Sequence, residues 1–294
     1  MKTLIYLIKR NIKVYFNDKG LFFTSLITPL ILLVLYATFL ENIFEDSFVS
    51  IFKDISISES TITALVSGQL ISSLLAVSCV TVAFSSNMLM ANDRITGAIN
   101  DINVTPVKRS YINLSYFLAT FISTLIVSIS ALVLCLIYTS VRGYTYSLGD
   151  TLYLILDVIV LTLFGSSLSS IINYFLKTQG GVSGVGTIVS AGYGFICGAY
   201  MPISSFNKTL QKILSFLPGT YGTSLLRNHA LNPILKTIKY LPSSVLKEIK
   251  DGLDCNIYFF NNMVSISSMY LILIATITVC IILYLIISNK KRGK

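Results

Sequence analysis

Charge is what this chain has least of. Only 12% of its 294 residues are Asp, Glu, Lys or Arg, about half the share found in soluble globular proteins. That scarcity excludes a water-facing surface over most of its length. Histidine occurs once, as His229, and the five cysteines form no CxxC pair. Without a cluster at ligand spacing, the pattern offers no metal site. No paired carboxylates and no Ser/His/Asp set converge on one face, which disfavours an enzyme. No GxxxxGK[ST] run occurs, so the chain carries no phosphate-binding loop.

What the chain has is apolar sequence: 54% hydrophobic residues and a mean hydropathy of +0.77. Runs able to cross roughly 30 Å of hydrocarbon, about 20 residues each, recur at 21–40, 62–90, 111–141, 151–176, 182–200 and 266–287. The predicted fold class is an all-α membrane protein with six transmembrane helices. The second and third runs exceed the minimum and are expected to tilt or project beyond the bilayer. The first 20 residues do not form a cleavable signal, because their short apolar run is followed, not preceded, by most of the charge. Cys79, Cys135, Cys197 and Cys280 sit in the apolar runs as small hydrophobes, and Cys255 stands alone in an outer loop.

Basic residues set the orientation. With the N-terminus inside, the inner segments hold thirteen Lys and Arg, including Lys9, Arg10, Lys13, Arg94, Lys108, Arg109 and the terminal Lys290, Lys291, Arg292 and Lys294. The two short outer loops hold only Lys53 and Arg142, while Glu41, Glu45, Asp46, Asp54 and Glu59 gather in the first of them. Both termini are therefore expected on the cytoplasmic side. The net charge of +9 is explained by this bias, without nucleic acid as a partner.

Between the second and third runs lies a polar interruption, ANDRITGAINDINVTPVKRS, at 91–110. Ile95, Ala98, Ile99 and Ile102 fall on one helical face, with Asn, Asp and Arg on the other. Gly97 weakens such a helix by roughly 1 kcal/mol relative to alanine. A marginal helix is best explained if it docks onto a partner; the other reading is a solvated loop. Thr105-Pro106 predicts an N-cap and first helical residue for the third span. Residues 1–20 read as an interfacial amphipathic helix with a Leu4, Leu7, Ile8, Ile12, Tyr15 and Phe16 stripe, or as a polar lead-in to the first span. Pro29 is expected to kink that span.

Gly186, Ser190, Gly194 and Gly198 recur every four residues, a small-residue stripe that predicts close packing against either this chain or a second copy. After it, an apolar face (Phe206, Leu210, Ile213, Leu214, Leu217) is interrupted by Pro218-Gly219. Each half, about 10 to 15 residues, is too short to cross. A re-entrant outer hairpin over 200–230, carrying Tyr200, Pro202, Pro218, Gly219 and Tyr221, is the expectation; a hairpin lying on the outer surface is the alternative. Residues 232–262 read as an exposed, mostly polar excursion within the outer segment 201–265. Asp157 is the one charged side chain well inside a span. It is a functional-site candidate, although its place near the outer end favours simple contact with interfacial water. So few buried charges leave little to sense a driving ion, and the energy source is expected to lie elsewhere.

Three stretches carry a family resemblance: RNIKVYFNDKGLFFTSLITPLILLVLY (10–36), NDRITGAINDINVTPVKRSYINLSY (92–116) and GFICGAYMPISSFNKTLQKILSFLPGTYGTSLLR (194–227). The third is the most specific. The chain resembles the permease subunit of an ABC-2 type exporter of the bacterial cytoplasmic membrane, a class that includes drug-resistance and polysaccharide or teichoic-acid exporters. The resemblance implies one transmembrane domain, 21–294, preceded by the interfacial helix, and a second permease copy, identical or related. It further implies two cytosolic ATPase subunits that bind ATP and Mg, with no cofactor in this chain. Residues 92–103 become the coupling helix, with Asp93, Arg94, Ile95, Ile99 and Asp101 at the ATPase. Many relatives carry glutamate near 92 or 93, whereas Asn92-Asp93 leaves the acidic character on Asp93. The implied cargo is amphipathic or lipid-like, such as a drug, antibiotic or peptide. One alternative is a polysaccharide or teichoic-acid permease, although tryptophan for an aromatic sugar belt is absent and 17 Tyr and 17 Phe remain. The other is a non-transporting scaffold or immunity protein, which needs no ATPase.

Overall fold

The computed structural model describes residues 2–42, 45, 58–260 and 262–289. Lys53, Asp46, Asp54, Lys290, Lys291, Arg292 and Lys294, used above for orientation, lie outside them. The elements are α1 (Lys2–Asn17), α2 (Lys19–Leu35) continuing into a π turn (Tyr36–Leu40), α3 (Glu59–Ile95), α4 (Ala98–Asn103), α5 (Arg109–Val141), α6 (Leu148–Tyr174) and α7 (Gln179–Ile196). There follow a 3-10 turn (Ile203–Ser205), α8 (Lys208–Leu214), α9 (Pro218–Thr237), α10 (Ser243–Gly252), a hairpin β1 (Tyr258–Phe259)–β2 (Asn262–Met263), and α11 (Ile266–Asn289). The strands pair antiparallel, Tyr258 with Met263 and Phe259 with Asn262.

This is an all-α membrane protein. Helices α3, α5, α6 and α11 are long and apolar enough to cross a bilayer, and the bent pair α1–α2 makes a fifth candidate. Helix α7 has 18 residues and is diluted by glycine, so it falls short of that test although the apolar run predicted a sixth span. It also stops at Ile196, where the run extended to Tyr200. Gly198, at φ +77°, turns the chain, and the Tyr200 N–H donates back to the Gly194 carbonyl at 3.1 Å.

Helix α3 is the hub. It packs against α2, α5, α6, α7 and α9, and its most apolar stretch is wholly buried. A helix surrounded on all sides must let its neighbours approach, and its small serines and alanines permit that. Several of its hydroxyls bond the preceding turn: Ser78 donates to Leu74 O at 2.6 Å and Thr81 to Val77 O at 2.9 Å. Gly165 of α6 marks the closest crossing. A Cβ there would lie 2.7 Å from Cys79 O and 3.0 Å from Val80 Cα, both backbone atoms of α3. Gly165→Val is therefore expected to destabilise the fold by about 1–3 kcal/mol, seen as a lower melting temperature in detergent. Gly149→Ala, whose Cβ meets only Ser147 Oγ at 3.8 Å, should leave it unchanged.

The sharp bend near the N-terminus is not at Pro29. Helix α2 continues through that residue, and the 72° bend falls between α1 and α2. Asp18 makes it possible by capping α2, its Oδ1 accepting from Leu21 N at 3.0 Å. The segment 232–262 is not an exposed excursion. Leu235, Ile238, Ile249, Leu253, Cys255 and Ile257 are buried in the main core. Lys247, Glu248, Lys250 and Asp251 dominate its composition, yet Leu246, Ile249 and Leu253 share one face of α10 and its exit turn.

Candidate functional site

The polar interruption ends α3 and forms α4, but as two pieces. Gly97 adopts φ +82°, a left-handed conformation that breaks the helix between Ile95 and Ala98. The single short helix that the spacing of Ile95, Ala98, Ile99 and Ile102 predicts is thereby corrected: α3 ends at Ile95 and α4 begins at Ala98. Thr105-Pro106 is not the start of α5, which begins at Arg109 with Lys108 as its cap. Thr105 instead closes α4, its N–H donating to Ile102 O at 3.2 Å.

Asp93 and Arg94 of this site face inward, whereas Asp101 is exposed. Asp93 is buried, accepts from the Tyr116 hydroxyl at 2.6 Å and ion-pairs with Arg10 of α1. Burial acts to lower the Arg10 guanidinium, and hydrogen bonding and charge from Asp93 outweigh it, leaving it above its ordinary value. Arg94 donates to the Tyr174 carbonyl at 2.9 Å and stacks 4.2 Å from that ring. Ile99 and Ile102 are half-buried against the core cluster of Met90, Ile112, Tyr116 and Tyr284, and Ile95 is half-buried. The outward surface of the element is Asn100, Asp101, Asn103, Val104 and Thr105. Asp93 and Arg94 thus tie the element to α1, α5 and α6.

A cavity of about 1360 Å³ opens between α2, α3 and α7. Ile27, Ile31 and Phe39 line one side, Met88 and Ser85 another, and Thr187, Ser190 and Ala191 the third. Asp18 is the one charged residue among its described lining. Gly186 and Ser190 of the predicted packing stripe face this space; a Cβ at Gly186 would touch only the mobile end of Met88, 2.4 Å from its Cε. Gly194 lies in the last turn of α7, where the Tyr200 ring folds back on it, and Gly198 lies in the turn that follows. The four residues therefore do not form one continuous helix–helix seam within the chain.

Tyr200 and Pro202, with Ser204 and Leu253, roof the cavity. A buried network holds this roof. Arg227 of α9, 1% exposed, donates to Asp254 Oδ2 at 2.9 Å and to the Gly198 carbonyl. The Gln69 amide, oxygen toward Arg227, accepts from Nη2 at 3.0 Å and Nε at 3.2 Å. Asp254 in turn accepts from the backbone N–H groups of Ile203 and Ser204. Pro218 is the first residue of α9, Gly219 lets it approach the Tyr193 hydroxyl, and the Tyr221 hydroxyl donates to Ser215 O, bracing the α8–α9 bend.

The sequence left His229 without a partner and Asp157 near interfacial water. The structure corrects both. Asp157 is buried, its Oδ2 lies 2.6 Å from His229 Nδ1, and its Oδ1 accepts from the Tyr270 hydroxyl. Tyr153 stacks on the His229 ring with centroids 4.9 Å apart. The cluster joins α6, α9 and α11. No spacing in the chain signals it, because its members come from three distant segments. No group of three or more His, Cys, Asp or Glu could hold a metal among the described residues.

Several membrane-length helices, a polar element jutting from one end and a wide apolar cavity beside the hub helix define a multi-pass membrane protein of the transport type. The family model described as ABC-2 type transporter matches residues 2–230, and the chain belongs to that family. It is a permease, the membrane subunit of an ABC transporter, and the family works with an ABC ATPase carried on a separate subunit. No curated protein and no solved structure matches the chain.

Proposed function

We propose that this permease exports an amphipathic or lipid-like substrate from the cytoplasm, working as a pair of permeases with two ATPase subunits that bind ATP and Mg. The observation that carries the reading is the cavity between α2, α3 and α7. Its walls are apolar side chains interspersed with hydroxyls, with one carboxylate at Asp18. Such a space accepts a hydrophobic molecule with a few polar groups and is a poor host for a highly charged one. Both termini and α4 lie on the cytoplasmic side in this reading, and α7, completing six spans, faces the second permease.

Closure of the ATPase dimer on ATP displaces α4. Two tethers carry the load: Asp93–Arg10 into α1 and Arg94–Tyr174 into α6. Because α1 joins α2 through the bend at Asp18, pulling on Arg10 rotates a wall of the cavity. The outer roof then opens and releases the substrate past 200–230.

The test is ATP hydrolysis by the permease co-expressed with its neighbouring ATPase. Val104→Asp, which places a charge on the most exposed apolar residue of the element (86% exposed), is expected to weaken ATPase capture in a pull-down. Asp93→Ala combined with Arg94→Ala should leave capture intact while lowering substrate-stimulated hydrolysis about tenfold, a coupling of about 1.4 kcal/mol. Unchanged hydrolysis and unchanged complex formation in both variants would sink the coupling role.

A further inference from the structure

Helices α3, α5 and α6 pack against one another in pairs, and each carries a ladder of positions four residues apart at their junction. Helix α3 brings Cys79, Ala83 and Asn87. Helix α5, running the other way, brings Ser128, Thr124 and Thr120, and α6 brings Thr162, Ser166 and Ser170. Contacts fix both ends of the ladders. At one end Asn87 Nδ2 donates to Thr120 Oγ1 at 3.0 Å and to Ser170 Oγ at 3.1 Å. At the other, the Cys79 thiol lies beside the Ser128 and Thr162 hydroxyls. The two ends are eight residues apart on every helix, about 12 Å at about 1.5 Å per residue. The middle rungs, Ala83, Thr124 and Ser166, therefore fall level, and Gly165 meets α3 at that level, where its Cβ would lie 3.1 Å from Ala83 Cβ.

The polar atoms of this junction are unpaired. Asn87 Oδ1 and the hydroxyls of Ser123, Thr124, Ser128, Thr162 and Ser166 make no hydrogen bond, and each of these residues is 0% exposed. Hydroxyls elsewhere on α5 and α6 bond back along their own helix: Ser115 donates to Ile112 O, Ser167 to Phe164 O and Ser169 to Ser166 O. The unpaired group does not. Burying a hydroxyl or amide without a partner is costly, most of all at membrane depth. Ala83 explains the gap, because it sets only a methyl group opposite Thr124 and Ser166. Hydroxyls that can both donate and accept, held apart by more than a direct hydrogen bond, are suited to bridging by ordered water.

We infer that the α3–α5–α6 junction is a water-binding site, in which ordered waters bridge the hub helix to its two neighbours. Six unpaired groups call for about two waters at about three hydrogen bonds each. Water-mediated bonds re-form after a small shift, so α3 can move against α5 and α6 without baring a polar group. The site follows from the packing of three helices and holds whatever the cargo or the direction of transport.

Cys79 is a built-in reporter, since hydroxyl radicals made by an X-ray pulse from a bound water oxidise the thiol beside it. The full-length permease in lipid nanodiscs is irradiated for milliseconds, and sulfur oxidation is read by mass spectrometry. Cys135, in the apolar core on α5, is the dry control, and Met263, 59% exposed, is the bulk-water control. A membrane-impermeant radical scavenger in the buffer separates the two sources. Cys79 is expected to oxidise several-fold faster than Cys135 and to be unaffected by the scavenger, which protects Met263. Combining S128A with T162V removes the flanking hydroxyls and should bring Cys79 down to the Cys135 rate; T124V serves, with the same expected loss, should the double variant not assemble. Cys79 oxidation no faster than that of Cys135 would show a dry junction. Protection of Cys79 by the scavenger would show bulk water reaching it, and undiminished oxidation in the variants would show water held by other groups. Each of these three results overturns the site.

Discussion

Replacing Arg227 by alanine is expected to lower stability by about 3–5 kcal/mol, the cost of breaking a buried ion pair from one side. The pair is nearly dry, with Arg227 1% and Asp254 3% exposed. Removal of the guanidinium strands the Asp254 carboxylate and leaves Gly198 O and the Gln69 amide without their donor. Arg227→Lys should recover only part of the loss, because one ammonium cannot span the three acceptors that the planar guanidinium fork reaches together. Thermal unfolding of the purified protein reads the effect, and a double-mutant cycle with Asp254→Asn isolates the pair from the backbone contacts. The same cut frees the roof over the cavity, since Asp254 holds the N–H groups of Ile203 and Ser204. Uncoupled, substrate-independent ATP hydrolysis by the complex should rise. An Arg227→Ala protein that melts with wild type would show that the network is dispensable.

The second large effect is expected at Asp157. Asp157→Ala leaves His229 Nδ1 and the Tyr270 hydroxyl without an acceptor in a buried setting, at about 1–3 kcal/mol for each orphaned donor. Asp157→Asn keeps one oxygen acceptor and should restore about half of that loss. Because the cluster joins α6, α9 and α11, the damage should be local. Hydrogen exchange is expected to rise across 218–237 and the first turns of α11 before it rises in α3. Uniform exchange along all helices would place the cluster's role elsewhere.

Much of the fold is visible in the chain itself. Four of the six apolar runs coincide with membrane-length helices to within a few residues, because burial in hydrocarbon constrains every residue of such a helix. Glu41 and Arg142, both assigned to the outer side by charge, form an ion pair. The errors have local causes as well. Gly97 permits a helix in a spacing argument and forbids it once its φ is positive. The apolar face of α10 was hidden by its charged neighbours. The small-residue stripe signalled close approach without saying what approaches, and two of its members line a cavity.

Membrane class, helical content and membership of the transporter family were all determined by the sequence alone. Each is a property of composition or pattern along windows of about 20 residues, where hydrocarbon imposes one rule on all side chains. What only the tertiary structure decided is the pairing of the rare polar groups. Arg10 with Asp93 spans 83 residues, Asp157 with His229 spans 72, and Arg227 with Asp254 spans 27. A buried charge must find a partner, since leaving it unpaired is too costly. Which partner it finds depends on how the helices cross, and no window along the chain contains that information.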